Sequence, residues 1–120
     1  MPKPTGPTNP VLKSLIQELR KEGRKRKVRI WQRAAEILSN PTRRRVEVNL
    51  SKINRYGGNG TVLVPGVVLA SGSIDRPLTV SAFRFSAAAR EKIIRAGGRA
   101  IHIKQLLQEN PEGKGVILLT

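Results

Sequence analysis

Eight of the chain's 23 lysines and arginines stand in two short blocks, Arg24-Lys25-Arg26-Lys27 with Arg29, and Arg43-Arg44-Arg45. Guanidinium and ammonium groups at this density do one kind of chemistry well: they displace the counterions that surround a polyanion's phosphates. Without such a partner they repel one another and work against a compact state. The net charge of +15 is also lopsided. Residues 1–60 carry 15 cations against 4 acids, while residues 61–120 carry 8 against 4. The chemistry these residues imply is phosphate neutralisation, and the first partner to expect is RNA.

Other cations extend the footprint. Arg33 falls on the polar face of a predicted helix. Lys52, Arg55 and Tyr56 precede the glycine-rich stretch Gly57-Gly58-Asn59-Gly60, where a nucleic-acid backbone has room to approach. Arg76 sits in turn-like surroundings, and Arg84 lies between Phe83 and Phe85, so each points either to a phosphate or into a structural ion pair. Arg45 has a competing use, since strand alternation brings it towards Glu47. Tyr56 has one too, as a core residue whose hydroxyl caps a strand. Lys13, Arg90, Lys92, Arg95 and Arg99 read as ordinary solvated charges, or as charges that suit a helix C-terminus.

Aromatic residues number four: Trp31, Tyr56, Phe83 and Phe85. Trp31 shares a helical face with Ala34, Ala35 and Leu38, which predicts burial. So few rings cannot build the broad stacking surfaces of modules that read single-stranded RNA, and recognition should rest on backbone charge and shape.

Catalytic chemistry is hard to assemble from this chain. His102 is the lone histidine, there is no cysteine, and Asp75 is the lone aspartate, which leaves no metal-ligand spacing and little material for a carboxylate pair. The glycine stretch lacks the Lys-Ser/Thr of a nucleotide-phosphate loop. The expectation is a protein with no enzymatic activity, no metal and no cofactor. Absence of cysteine suits a reducing compartment, the first ten residues lack a signal peptide's apolar stretch, and no run approaches a membrane span. A cytoplasmic location follows as the simplest expectation.

Two helices and a set of short strands must position these groups. Residues 1–9 hold three prolines and a glycine and predict a flexible tail. Asn9 offers an N-cap and Pro10 a first helical residue. Val11, Leu12, Leu15, Ile16 and Leu19 then keep helical spacing to about Lys21, where Gly23 should stop the helix. A second helix carries Ile30, Trp31, Ala34, Ala35 and Leu38 on one face and ends before Asn40-Pro41, which places Arg24 to Lys27 on an exposed bend.

From Val46 the apolar period changes to two, predicting a strand to Leu50. One helical turn over 51–56 and a β-branched strand over 61–64 follow, with Pro65-Gly66 as a turn before another strand over 67–69. A strand over 78–85 leads to a helix capped by Ser86 that runs to about Ala96. A strand over 100–103, a helix over 104–109, a turn at 110–113 and a last strand over 116–119 complete the chain. The expected organisation is a single mixed α+β or α/β domain over 10–120, with a helical arm (10–40) ahead of a compact core (45–120).

Several blocks, in this order and spacing, resemble one known family. They are Arg45 to Tyr56 (RVEVNLSKINRY), Thr61 to Gly66 (TVLVPG), Thr79 to Phe83 with Phe85-Ser86, and Asn110 to Gly113 (NPEG). They are similar to the archaeal and eukaryotic large-subunit ribosomal proteins called eL-eighteen, relatives of the C-terminal domain of bacterial L-fifteen. The likeness runs from about Asn9 to Leu119, and the short length points to the archaeal branch. Val67 stands where many members carry lysine, and Ala70 where many carry glycine. The resemblance implies a core of irregular β-β-α turns and a non-catalytic structural role on large-subunit ribosomal RNA, beside neighbouring ribosomal proteins. One such neighbour is expected over the apolar last strand, if that strand lies at a sheet edge.

Two other classes compete. The helix pair with its basic link could mimic a helix-turn-helix of a DNA-binding chromatin or regulatory protein, although Gln32 and Arg33 are the main base-reading side chains on the second helix. The apolar stripe of the first helix could lie on a membrane surface, but burial in a core explains it more simply.

Overall fold

The structure, a computed structural model, describes residues 10–39 and 46–120. The expected tail at 1–9, the Asn9 cap, the Asn40-Pro41 helix end and Arg43, Arg44 and Arg45 lie outside these residues. Helix α1 (Pro10–Arg26) buries Leu12, Leu15, Ile16 and Leu19, and α2 (Arg29–Leu38) buries Trp31, Ala34, Ala35, Ile37 and Leu38. Both stripes follow the predicted helical phase except at Val11, expected on the apolar stripe of α1 but exposed, being one position off the buried Leu12-Leu15-Ile16-Leu19 face. They face each other and a shared core, so neither is left for a membrane surface. No helix among the described residues is long and apolar enough to cross a membrane.

The end of α1 corrects the expectation, because the helix passes through Gly23 and runs on to Arg26. Gly23 is buried under α2, where an added Cβ would come within 2.7 Å of Gln32 Cγ and 3.2 Å of the Val28 carbonyl oxygen. The glycine is needed for close approach of the two helices and does not stop the first. The chain reverses at Lys27-Val28, four residues after Gly23. Lys27 takes a left-handed φ of 57°, the Val28 N–H donates to the Gly23 carbonyl (2.9 Å), and the Lys27 N–H donates to that of Arg24 (3.4 Å). Together these bonds form the Schellman cap that usually has glycine at the left-handed position.

The core is a parallel sheet. Strand β1 (Val46–Asn49) passes through α3 (Leu50–Tyr56) to β2 (Thr61–Leu69), and a loop leads to β3 (Thr79–Phe85). Then come α4 (Ala87–Arg95), β4 (Arg99–His102), α5 (Ile103–Glu109) and β5 (Val116–Leu118). The strands lie in the order β1-β2-β3-β4, with β5 also on β2, and every pairing is parallel. Here β1 pairs with Gly66–Leu69 and β5 with Thr61–Leu63, so the two short strands occupy successive parts of β2.

Pro65-Gly66 is a second correction. It makes no turn, because β2 is one nine-residue strand through it. The register against β3 slips between Val64 and Val67, which gives Pro65, with no N–H to donate, a bulge to occupy. Gly66 lies against Val46, where a Cβ would stand 2.1 Å from the Val46 carbonyl oxygen.

Helices cover both faces of the sheet, as a parallel sheet requires. Leu63, Phe83 and Ile101 join α1, α2 and α5 in one apolar cluster; Val62, Val64, Val80 and Ala82 join α3 and α4 in the other. While the chain advances from β1 to β4, its helices stay on one face. On the return from β4 to β5, α5 lies on the opposite face, as right-handed crossovers demand. The helical arm completes that second layer. The architecture is the expected mixed α/β one, a helical arm on a small core of short strands and helices.

Candidate nucleic-acid interface

The α1–α2 turn concentrates the charge. Arg24, Lys25 and Arg26 form the last turn of α1, where cations suit the helix dipole, Lys27 occupies the cap and Arg29 opens α2. All five side chains are exposed. Three of them therefore project from a rigid helix end, where a bend alone was expected. Arg26 donates to Glu22 at 3.0 Å. Arg24, Lys25, Lys27 and Arg29 make no ion pair among the described residues, and all eight acids of the chain lie within those residues. Four uncompensated cations thus stand within six residues.

The polar face of α2 is occupied differently. Gln32 Nε2 donates to the Gly23 carbonyl at 3.1 Å, and Arg33 lies 3.5 Å from Glu36. Both candidate base readers of a helix-turn-helix are therefore engaged within the helix pair. At the far end of α2, Arg20 donates to Ser39 Oγ (3.1 Å), which in turn donates to the Ala35 carbonyl (2.7 Å). That link fixes to α1 the end of α2 from which the chain continues towards Arg43–Arg45.

A second group sits at α3. Lys52 Nζ donates to the main-chain oxygen of Thr120 at 2.5 Å, and the Arg55 guanidinium lies 5.4 Å from the centre of the Tyr56 ring. Tyr56 is 53% exposed, so its alternative as a core residue is excluded. Arg84 is exposed on β3 and lies 5.5 Å from the Phe83 ring centre, with no ion pair among the described residues.

Arg76 has a different use. Its Nε donates to the Gly58 carbonyl (2.6 Å), Nη1 to Asn54 Oδ1 (2.9 Å) and Asp75 Oδ1 (2.8 Å), and Nη2 to the Asn54 carbonyl (2.7 Å). Four of its five N–H donors are spent holding the loop before β3 against the end of α3. The same contacts hold the Asp75 carboxyl below its ordinary range, the Arg76 hydrogen bond being the main cause and the one from Asn54 the next.

Trp31 is fully buried and donates its indole N–H to the Pro111 carbonyl at 2.8 Å, which joins the arm to the 110–113 turn. His102 is structural as well. Its Nδ1 accepts the Lys104 N–H (3.1 Å) and so caps α5, while its ring meets the edge of Phe83 at 5.8 Å. Burial, and then the nearby charge of Lys104, push its pKa below the ordinary 6.5. Among the described residues no cluster of histidine and acids is placed to hold a metal.

With the geometry in place, comparison with known proteins decides the kinship. Residues 8–120 match the family described as ribosomal protein 60S L18 and 50S L18e. The chain belongs to this family. It is 46% identical to the large ribosomal subunit protein eL18 of Methanopyrus kandleri, over 97% of this chain and 96% of the relative. Against the protein of the same name from Archaeoglobus fulgidus it is 47% identical over 93% and 97%, and against that of Pyrobaculum aerophilum 42% over 96% and 95%. The kinship lies with the archaeal branch, as expected. The L18/L18e family is one of structural ribosomal components.

Two cations of this L18e-type chain have roles that sequence reasoning missed. Lys92, read as a solvated charge, donates to the Ala70 (2.9 Å) and Gly72 (3.0 Å) carbonyls and ties α4 to the loop after β2. Arg99 donates both terminal nitrogens to Glu109, at 3.0 and 2.9 Å; the pair raises the pKa of Arg99 and, with Gln105, lowers that of Glu109. Neither pairing has a local signal, because each partner lies ten or more residues away.

Proposed function

We propose that this chain grips large-subunit ribosomal RNA chiefly through Arg24, Lys25, Lys27 and Arg29, with Arg43, Arg44, Arg45, Lys52, Arg55, Tyr56 and Arg84 as further contacts, and catalyses no reaction. As a family member it is a structural constituent of the large ribosomal subunit, located in the ribosome in the cytoplasm. The observation that carries the reading is the four exposed cations of the α1–α2 turn that meet no acid. A protein that could compensate them internally pairs six other cations with acids instead. Phosphates are the complementary partner, and their released counterions supply the affinity. Arg26 and Arg33 each share a carboxylate and contribute less; Arg76 contributes by shaping the α3 end. Residues 10–120 act as one domain, whose remaining surface meets neighbouring ribosomal proteins.

Two measurements test this. Sedimented through a sucrose gradient, the chain should follow the large subunit when the subunits separate. Binding to large-subunit ribosomal RNA should weaken steeply with salt, and changing Arg24, Lys25, Lys27 and Arg29 together to glutamine should lower the log–log slope by about 3. An unchanged slope would remove the turn from the interface. Duplex DNA binding as tightly at moderate salt would revive the chromatin alternative, which nothing in the kinship supports.

A further inference from the structure

We infer that Tyr56 is a stacking platform for an unpaired nucleotide base, so that the α3 end engages single-stranded RNA while the α1–α2 turn holds phosphates whatever the strand state. The inference rests on the RNA-binding reading above and adds the kind of RNA element taken at one place.

Of the four aromatic residues, Trp31 and Phe83 are buried and Phe85 packs against the second apolar cluster. Tyr56 alone presents its ring, with more than half its surface in solvent. Its hydroxyl has no hydrogen-bond partner among the described residues, so nothing internal explains a tyrosine there. Arg55 lies over the ring, and a guanidinium in that place both holds the ring and favours a third π-system against it.

The surroundings suit a nucleotide. Lys52 lies one helical turn before Tyr56 on the same face of α3, its ammonium held beside the Thr120 main-chain oxygen. Beyond the ring, Gly58 and Gly60 are exposed and leave the backbone open, and a Cβ on Gly58 would meet Ile117 Cδ1 at 3.1 Å, which puts a partly exposed apolar side chain beside the loop. No acid occurs from Val48 to Ile74 or from Gly113 to Thr120, and the adjoining Asp75 is paired with Arg76. An aromatic ring flanked by cations, open backbone and one aliphatic side chain is the composition of a base-stacking site.

The chain has a single tyrosine, so uniform 3-fluorotyrosine labelling gives one fluorine resonance, that of Tyr56. The probes are decauridylate and an abasic ribose-phosphate decamer of equal charge, each added to the full chain at low salt. Decauridylate should bind about tenfold tighter than the abasic strand and shift the resonance. Tyr56→Phe should keep that advantage and Tyr56→Leu abolish it. Equal affinity for both strands with an unmoved resonance, or an advantage that survives in Tyr56→Leu, would overturn the inference while leaving RNA binding intact. If neither strand bound, nor ribosomal RNA itself, the RNA-binding reading would fall first.

Discussion

At the scale of single residues, several positions are set by contacts a few atoms wide. Gly66 is one. An alanine there would drive its Cβ into the Val46 carbonyl, and because β1 and β2 meet at this residue the clash cannot be relieved by a rotamer change. Gly66→Ala should destabilise the protein by about 2–4 kcal/mol, read from urea unfolding, with β1 the first strand lost in hydrogen exchange. His102 is another. Its folded pKa lies below 6.5, so the unfolded chain takes up a proton first as pH falls. Its contribution to stability is complete above about pH 6.5 and is lost as pH falls through the depressed folded value. Protonation also removes the Nδ1 acceptor that caps α5. His102→Asn keeps a capping acceptor without a titrating group, so thermal unfolding of this variant should lose the wild-type decline that sets in as pH falls below about 6.5. Asp75 and Glu109 have depressed pKa values of the same sign, but theirs is a loss in the more acidic carboxylate range, which separates the effects.

Among the elements, the α1–α2 hairpin sets stability against charge. Lys27 occupies the left-handed position of the cap, where a residue with a Cβ costs about 1 kcal/mol relative to glycine. A lysine retained there is consistent with a side chain used outside the fold. Lys27→Gly should raise the midpoint of thermal unfolding by a few degrees and, at the same time, reduce the salt slope of ribosomal-RNA binding by about 1. Gly23→Ala at the crossing should act in the opposite sense on stability, costing about 1–3 kcal/mol, since Gln32 and the Val28 carbonyl must both yield. The loss of both stability and slope in Lys27→Gly would refute this division of roles.

For the whole molecule, one sheet joins two apolar clusters, and Leu63 and Val62, neighbours on β2, belong to different ones. Neither layer can lose its helices without exposing a face of the central strand. Residues 10–120 should therefore unfold in one transition, with Trp31 fluorescence, which reports the arm, and far-ultraviolet circular dichroism coinciding. Separate midpoints would make the helical arm an independent unit. High salt has opposing effects at this scale: it screens the repulsion within a chain of net charge +15 and raises stability, while it weakens attachment to RNA.

Much of this was legible in the residues. The period of 3.6 in α1 and α2, the burial of Trp31, the Ser86 cap, which accepts the Ala89 N–H at 3.1 Å, and the family blocks all follow from patterns within a few neighbouring positions. So did the excess of cations in the first half of the chain. Only the tertiary structure decided the rest. Gly23 and Pro65-Gly66 have the local signature of breaks, yet one is a helix crossing and the other lies inside a strand, because the element that packs on each comes from elsewhere in the chain. Equally, sequence counts Arg24, Arg76 and Lys92 as the same charge. Arg76 and Lys92 meet carbonyls of distant segments that the fold brings to them, a pairing no local pattern announces, whereas Arg24 meets no acid among the described residues.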